Sequence, residues 1–217
     1  MSEDDRLVEI RRRTEHLEGC VTPQRLERFR HAASERLTSV TVVLENFWDA
    51  HNVSAVIRSA EGLGLSDAHV VESPYRYRGN RAILRGADRW LHVHRHPSID
   101  ACLETISAAG FVTCAADVGE GCLELDELPV DRPLAIVMGT ERHGLSVEAK
   151  HLTDLRYTIP MQGLTESFNV SVSAAVSLFH LTTARRRRFG SDLSVEECAA
   201  KIERWVEIST NSLQPQR

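Results

Sequence analysis

The sequence predicts an α/β fold with a mainly parallel sheet and helices at both ends of the chain. Short β-branched stretches such as residues 39–44 are typical of buried strands, and segments with a helical spacing of apolar residues follow them. Strands that alternate with helices in this way favour a parallel sheet. The 217 residues suffice for one domain of ordinary size, with a real core and short terminal additions.

The predicted elements follow one another in a regular order. Residues 3–36 are polar and helical in pattern, and Thr22-Pro23 marks a helix start because Pro suits the first helical position. Strands are predicted at 39–44, 68–71, 90–94, 111–115, 133–138 and 155–159. Helices are predicted around 53–63, at 99–109, from 146, at 169–188 and near 194–208, with a loop at 72–88. The chain thus divides into a helical arm (1–37), a core domain (38–189) and a helical extension (190–217).

Charge is distributed unevenly along the chain. The net charge of −5 gives no global attraction to nucleic acid. Only Lys150 and Lys201 among the 26 basic residues are lysines, so 24 are arginines. A GC-rich genome would explain that ratio, but it would not explain arginine clusters at 11–13, 76–95 and 185–188. Arginine forks bind phosphates in a bidentate manner, so these clusters predict a polyanion-binding surface. The candidate RNA contacts are Arg11, Arg12, Arg85, Arg89, Arg185 and Arg186.

Several classes of protein are excluded by the sequence. No run approaches the ~18 apolar residues of a membrane helix. Residues 1–6 are acidic and lack the apolar region of a signal peptide. The five cysteines are odd in number and have no metal-ligand spacing, which is typical of reduced thiols and predicts a cytoplasmic protein. No Gly-x-Ser-x-Gly elbow of a serine hydrolase is present.

Three histidines, at 92, 94 and 96, alternate along a predicted strand and so share one of its faces. A metal site and a basic strand end that faces RNA are both compatible with this pattern. Because no cysteine or carboxylate lies nearby in ligand spacing, we expect no metal and prefer the RNA-facing strand end.

Three separated segments carry the chemistry. They have the sequences NVSAVIRSA at 52–60, IVMGTERHGLS at 136–146, and IPMQG at 159–163 running on to SFNVSVSAA at 167–175. Each joins an apolar strand to a turn that bears Gly or Asn and then to a helix. No Gly-x-Gly-x-x-Gly follows any strand, so a cofactor must be held in another way. Glycines 139, 144 and 163 lie just past strand ends, where backbone can approach a ligand closely, although each alone is also an ordinary turn glycine.

Arg58 is the strongest catalytic candidate. On a helical wheel that starts at Val53, the apolar stripe lies within about 80° of Val53, whereas Arg58 lies about 140° away. The side chain therefore projects off the core face, as a solvated surface arginine would also do.

Together these motifs resemble the three signature motifs of the SpoU-type ribose 2'-O-methyltransferases of RNA, in the SPOUT superfamily. The resemblance implies a parallel sheet with a deep C-terminal trefoil knot and a homodimer. It implies that S-adenosylmethionine lies among the three loops. The cofactor contacts then fall on Ala116, Met138, Gly139, Ile159, Met161 and Phe168.

The same resemblance assigns the catalytic roles. It credits Arg58 with activating the ribose, and we favour an electrostatic role because the pKa of arginine exceeds ~12, which makes it a poor base. Asn52 either caps a helix or holds the loop. Glu141 hydrogen-bonds loop backbone or orients Arg58. Ser167 and Asn169 position substrate and cofactor loop, although Asn at a helix start is also a common cap.

Beyond the motifs, several stretches resemble the tRNA guanosine-18 ribose methyltransferases of this family. They are the N-terminal arm, residues 44–52 and 86–90, and the arginine-rich end of the last core helix. The resemblance implies methylation of guanosine 18 in the D-loop of tRNA. Methylation of ribosomal RNA and a non-catalytic RNA-binding role are the alternatives. Thr140, Glu166, Phe168 and the arginine-rich 76–89 loop depart from the family pattern.

Overall fold

A computed structural model describes residues 3–73, 76, 78–140 and 143–211. By internal contacts the chain forms two compact units. One unit is Thr38–Arg188, which contains the sheet, and the other combines Met1–Leu37 with Phe189–Arg217.

The sheet unit contains seven strands, all paired in parallel, which confirms the predicted α/β class. The strands are β1 Val40–Glu45, β2 Asp67–Val71, β3 His92–His96, β4 Val112–Ala116, β5 Leu123–Glu124, β6 Leu134–Met138 and β7 Leu155–Thr158. Their order across the sheet is β3-β2-β1-β6-β4-β7-β5. The two-residue strand β5 was not predicted, because two residues carry no detectable periodicity. The other six predicted strands are confirmed, with ends that differ by up to two residues. The knot stays a prediction.

Helices cover both faces of this sheet. They are α3 Ala50–Gly62, α4 Arg81–Leu84, α5 Ile99–Ala108, α6 Val147–Leu152 and α7 Val170–Phe189. Four of them match predicted helices. The short helix α4 lies inside the stretch predicted as a loop, and residues 74, 75 and 77 of that stretch lie outside the described residues. The described helices include none that is long and apolar enough to cross a membrane.

The core explains why the strands form where they do. Every residue of β1 and β6 is buried, as expected for central strands of a sheet covered on both faces. One layer joins β1, β4 and β6 to α3 and α7 through side chains such as Val56, Ile136 and Leu178. The other layer lies under α5 and α6 and includes Val43, Val137 and Ile106.

The second unit is helical and comprises α1 Glu3–Arg13, α2 Pro23–Ser34 and α8 Val195–Asn211. Thr22 caps α2 by accepting from the Arg25 amide, and Pro23 occupies the first turn, as predicted. The buried guanidinium of Arg36 lies 5.0 Å from the ring centroid of Trp205 in α8. Such a cation–π contact stabilises a buried cation within an apolar layer.

Candidate active site

A cavity of about 610 Å³ lies at the carboxyl ends of three adjacent strands, β6, β4 and β7. Ligands in open parallel sheets bind outside the carboxyl ends of the strands, and cavities of roughly 300–1,000 Å³ suit a cofactor-sized molecule. All six residues predicted to contact the cofactor line this cavity, together with two of the predicted catalytic residues. These eight residues are Ala116, Met138, Gly139, Ile159, Met161, Ser167, Phe168 and Asn169.

The turn after β6 closes back on itself at Gly139. A Cβ at this position would lie 2.2 Å from the Gly144 carbonyl carbon and 2.2 Å from the Leu145 nitrogen. Thr140 and Gly144 exchange two backbone hydrogen bonds of 3.0 and 2.8 Å, and Gly144 has a φ of +64°. Glycine is therefore needed at 139 because the turn packs against itself. The sequence pattern predicted a different reason, the close approach of a ligand.

A buried carboxylate anchors the far end of this turn. Glu45, at the end of β1, is 3% exposed and accepts hydrogen bonds from the Ser146 amide at 2.9 Å and the Ser146 hydroxyl at 2.5 Å. Ser146 also caps α6 by accepting from the Ala149 amide. The sequence pattern does not reveal this pairing, because 101 residues separate Glu45 and Ser146.

Asn169 connects the cavity to helix α3. Its side-chain oxygen accepts from the amide and the hydroxyl of Ser171, which caps the start of α7. Its side-chain nitrogen donates to the side-chain oxygen of Asn52 at 3.4 Å. The cap of α3 is Asp49, so the interpretation of Asn52 as a helix cap is wrong. Asn52 instead donates to Asp49 and lies buried in the first turn of α3.

Arg58 is exposed, as its position on the helical wheel predicts. Its Nη1 donates to the Ile83 carbonyl oxygen at 3.2 Å. One turn earlier on α3, the Ser54 hydroxyl accepts from the Asn80 amide at 2.8 Å. These two bonds attach the arginine-bearing segment around α4 to α3, so Arg58 lies beside part of the predicted RNA-binding loop. Arg58 is not among the residues that line the cavity. Glu141 lies outside the described residues.

The arginines predicted to bind RNA fall into different environments. Arg85 and Arg89 are exposed, and Arg89 lies 5.2 Å from the centroid of the Trp90 ring. Arg11 is paired with Glu27 at 2.5 Å. Arg12 makes two hydrogen bonds to Glu9. The N-terminal arginines therefore lie against carboxylates of their own unit, which lowers the positive potential there.

The prediction for Arg185 is wrong. Its side chain is 7% exposed and donates to the Ser39 hydroxyl and to the carbonyl oxygens of Val130 and Arg132. It therefore holds α7 to the sheet unit. Arg186 is partly buried and donates to the Leu63 carbonyl oxygen at 2.6 Å. The exposed arginines of this cluster are the next two, at positions 187 and 188. A run of four arginines does not show which of them face solvent.

Sequence reasoning missed an ion pair in the cavity. Asp117, directly after β4, lies 2.8 Å from Lys150 of α6, and both residues line the cavity. Its carboxylate is also 3.6 Å from Arg156. Tyr157 also lines the cavity; its buried hydroxyl donates to Ser177 of α7, and burial raises the pKa of Tyr157. The one signal in the sequence that could have identified Asp117 as a cavity residue is its position directly after a predicted strand.

Comparison with known proteins defines the class. The model of the SpoU rRNA Methylase family matches residues 39–179, and the chain belongs to that family. The predicted resemblance is therefore confirmed.

Individual relatives and solved structures are also similar. The tRNA (guanosine(18)-2'-O)-methyltransferase of Thermus thermophilus is 32% identical over 172 residues, covering 79% of this chain and 87% of the relative. The Escherichia coli enzyme of the same name is 30% identical over 177 residues, covering 82% and 76%. The crystal structure of the TrmH/SpoU tRNA modifying enzyme of Aquifex aeolicus superimposes with a TM-score of 0.77 at 25% identity, covering 86% of this chain and 96% of that chain.

A further solved structure bears on the cofactor. The SpoU methyltransferase AviRb of Streptomyces viridochromogenes, in complex with AdoMet, matches with a TM-score of 0.60 at 25% identity. The match covers 71% of this chain and 62% of that chain.

Proposed function

We propose that this chain methylates the ribose 2'-hydroxyl of guanosine 18 in tRNA, with S-adenosylmethionine as methyl donor. The observation that carries the proposal is the cavity, because residues of the second and third motifs line it and Asn169 connects it to the first. Relatives that are 30–32% identical over about four fifths of the chain bear the name of this activity.

The cavity fits the cofactor chemically. Met138, Ile159, Met161 and Phe168 offer apolar surface to an adenine ring and a thioether chain, while the turn at Gly139 offers backbone polar groups. The Asp117 carboxylate offers an acceptor for hydroxyl groups and lies beside a lysine that balances its charge. When bound, S-adenosylmethionine supplies an electrophilic methyl group on a sulfonium.

Arg58 is the proposed catalytic residue. A ribose 2'-hydroxyl is a poor nucleophile and must lose its proton as it attacks. The Arg58 guanidinium has five N–H donors, of which one contacts the Ile83 carbonyl oxygen. The guanidinium can therefore also hold a phosphate beside the reacting ribose and stabilise the developing alkoxide, while that phosphate takes the proton.

Asn52 and Asn169 are proposed to position this machinery. Their mutual hydrogen bond links the rim of the cavity to the helix that carries Arg58. Ser167 lies exposed on the same rim, where it can contact either ligand. Glu141 keeps its proposed role in the turn after β6.

We base the proposed RNA surface on the arginines that are exposed. Arg85 and Arg89 remain candidates because they are exposed in the segment attached to α3. At the end of α7, the exposed Arg187 and Arg188 replace the buried Arg185 and the partly buried Arg186. Arg11 and Arg12 remain candidates, but each must leave its glutamate partner in order to bind a phosphate. The helical arm at 1–37 remains a proposed RNA-binding region. The core domain at 38–189 and the extension at 190–217 remain the proposed limits of the other two regions.

We also propose a homodimer. Helix α7 buries one face in the sheet unit, yet Val172, Val176 and Phe179 are 44%, 38% and 61% exposed. These three residues lie at i, i+4 and i+7, so they form an apolar stripe on one helix face. Exposed stripes of this kind mark protein–protein contacts.

A cytoplasmic location is proposed as well, since all five cysteines are free thiols.

The discriminating experiment is a methyl-transfer assay with labelled S-adenosylmethionine. The substrates are unmodified whole tRNA, the same tRNA with 2'-deoxyguanosine at position 18, and ribosomal RNA fragments. We expect methylation of the first only. Methylation of ribosomal RNA alone would establish the ribosomal alternative, and binding of tRNA without transfer to any substrate would establish the non-catalytic one.

A further inference from the structure

A cluster of imidazoles lies on β2 and β3, at the end of the sheet away from β7. The strand register pairs Asp67 with His92, His69 with His94 and Val71 with His96, so these side chains share one face. The His69 ring stacks on His94 with centroids 4.6 Å apart. His94 in turn lies 2.7 Å from the Asp67 carboxylate. None of these residues lines the cavity described above.

Two of these histidines meet a buried cysteine of the helix that covers them. His69 Nδ1 and His96 Nε2 are 3.0 Å apart. The Cys102 sulfur of α5 joins them, and the three potential ligand atoms lie within 4.8 Å of one another. Cys102 is fully buried, His69 is 8% exposed and His96 is half-buried. An ion could therefore reach the cluster from the side of His96, on the outermost strand.

The surroundings make this cluster unusual. The layer between the sheet and α5 contains apolar side chains such as Val43, Val71 and Ile106 around the cluster. Burial of imidazoles in such a layer costs more than burial of aliphatic side chains, unless their nitrogens find partners. One hydrogen bond between the two rings uses only one nitrogen of each.

We propose that His69, His96 and Cys102 form a binding site for a Zn²⁺-class divalent ion, with water in the fourth position. Zinc bonds of ~2.0–2.1 Å to nitrogen and ~2.3 Å to sulfur imply an N···N separation of about 3.3 Å and an N···S separation of about 3.6 Å in a tetrahedral site. The two imidazole nitrogens must therefore move apart by a few tenths of an ångström, and the sulfur, now within 4.8 Å of them, must come to about 3.6 Å. A set of two imidazoles and a thiolate disfavours Mg²⁺ and Ca²⁺, which require oxygen ligands.

Binding of a metal ion sets the protonation state that each ligand must adopt. A ligating imidazole must present an unprotonated ring nitrogen to the ion. The Cys102 thiol would release its proton to solvent as the metal–sulfur bond forms. His94, held by Asp67, stacks on the His69 ring and fixes its plane. Such outer contacts orient a ligating histidine.

The ion would join the outermost strand β3 to β2 and α5. Its role would be structural and independent of methyl transfer. This proposal revises the expectation of no metal that was drawn from residues 92–96. That expectation considered only nearby ligands, whereas Cys102 lies in α5 and His69 in a different strand. Only the fold brings the three together.

Cobalt titration tests the site without reference to methyl transfer. Untagged, metal-free protein is titrated with Co²⁺, and the near-ultraviolet thiolate-to-cobalt charge-transfer band is recorded. We expect one Co²⁺ per chain and displacement by Zn²⁺. Cys102→Ala and His96→Asn should abolish the band and weaken Zn²⁺ binding more than ~100-fold, since loss of an outer-shell partner alone costs ~10–100-fold.

Two controls separate this site from adventitious binding. Cys114→Ala removes another fully buried cysteine, and His92→Asn removes an exposed histidine from the same strand. Both variants should keep the band. Absence of the band in the wild type, or its survival in Cys102→Ala, would overturn the proposal. If Cys102→Ala fails to fold, the test uses the cobalt band of His96→Asn and of the wild type. In that case, a wild-type melting temperature that Zn²⁺ leaves unchanged overturns the proposal.

Discussion

Asn169 donates a hydrogen bond of 3.4 Å to Asn52 across 117 residues of sequence, and this bond joins the third motif to the first. On one side of the bond lies the cavity, which Asn169 lines. On the other side lies helix α3, which carries Arg58 six residues beyond Asn52. The proposed methyl donor site and the proposed phosphate clamp are thus connected through two side-chain amides.

Asn169→Asp tests this connection. The aspartate keeps an oxygen that accepts from the Ser171 amide. It loses the N–H group that donates to Asn52, and its negative charge lies opposite the side-chain oxygen of Asn52. We expect turnover to fall ~5–10-fold or more, which corresponds to one lost hydrogen bond of about 1 kcal/mol. Stability in urea should stay close to that of the wild type, whereas Asn169→Ala should also lose about 1 kcal/mol of capping energy. Full turnover in the aspartate variant would refute a positioning role.

Arg58→Ala should reduce single-turnover methyl transfer ~100–1,000-fold, the usual effect of removing one group that stabilises a developing oxyanion. Binding of S-adenosylmethionine, measured by calorimetry, should be unchanged because Arg58 does not line the cavity. Arg58→Lys is the matched variant, and it should also fail because an ammonium cannot reproduce the guanidinium fork. A lysine variant with most of its activity would show that charge alone suffices.

Gly139→Ala should disrupt the turn after β6. The added Cβ would lie 2.2 Å from backbone atoms of Gly144 and Leu145, which cannot rotate away as a side chain can. We expect a loss of about 1–3 kcal/mol in unfolding free energy and weakened cofactor binding. Gly163→Ala is the control from the third motif, because its Cβ would meet nothing within 4 Å. It should stay within about 0.5 kcal/mol of the wild type, and equal effects of the two changes would contradict this account.

Arg185→Ala and Arg187→Ala should separate a structural arginine from an RNA-binding one. Loss of Arg185 leaves the carbonyl oxygens of Val130 and Arg132 without their charged donor, so stability should fall by about 2–3 kcal/mol. Arg187 is exposed, and its loss should leave unfolding nearly unchanged. Filter binding of tRNA across a salt series should instead show a log–log slope lowered by ~0.7–0.9. An unchanged slope would exclude Arg187 from phosphate contact.

Phe179→Glu should dissociate the proposed homodimer, because it places a charge on the most exposed residue of the apolar stripe. Light scattering after size exclusion measures the mass directly. Val8→Glu is the control, since Val8 is 62% exposed on α1, outside that stripe. A wild type with the mass of a monomer at all concentrations would rule the dimer out.

The sequence by itself determined six of the seven strands, with their ends to within two residues, and eight of the residues that line the cavity. Strands such as Leu134–Met138 are short, fully apolar and followed by glycine, and these are local properties that a linear chain displays. Because parallel strands end at one edge, Ala116, Met138 and Ile159 could be expected to meet there.

Tertiary structure alone decided which polar residues are buried and what they contact. Arg185 follows the same pattern as the exposed arginines after it, yet Ser39 and two loop carbonyls enclose it. His69, His96 and Cys102 come from two strands and a helix. In each case the environment of the side chain is set by neighbours distant in sequence, and local periodicity contains no information about them.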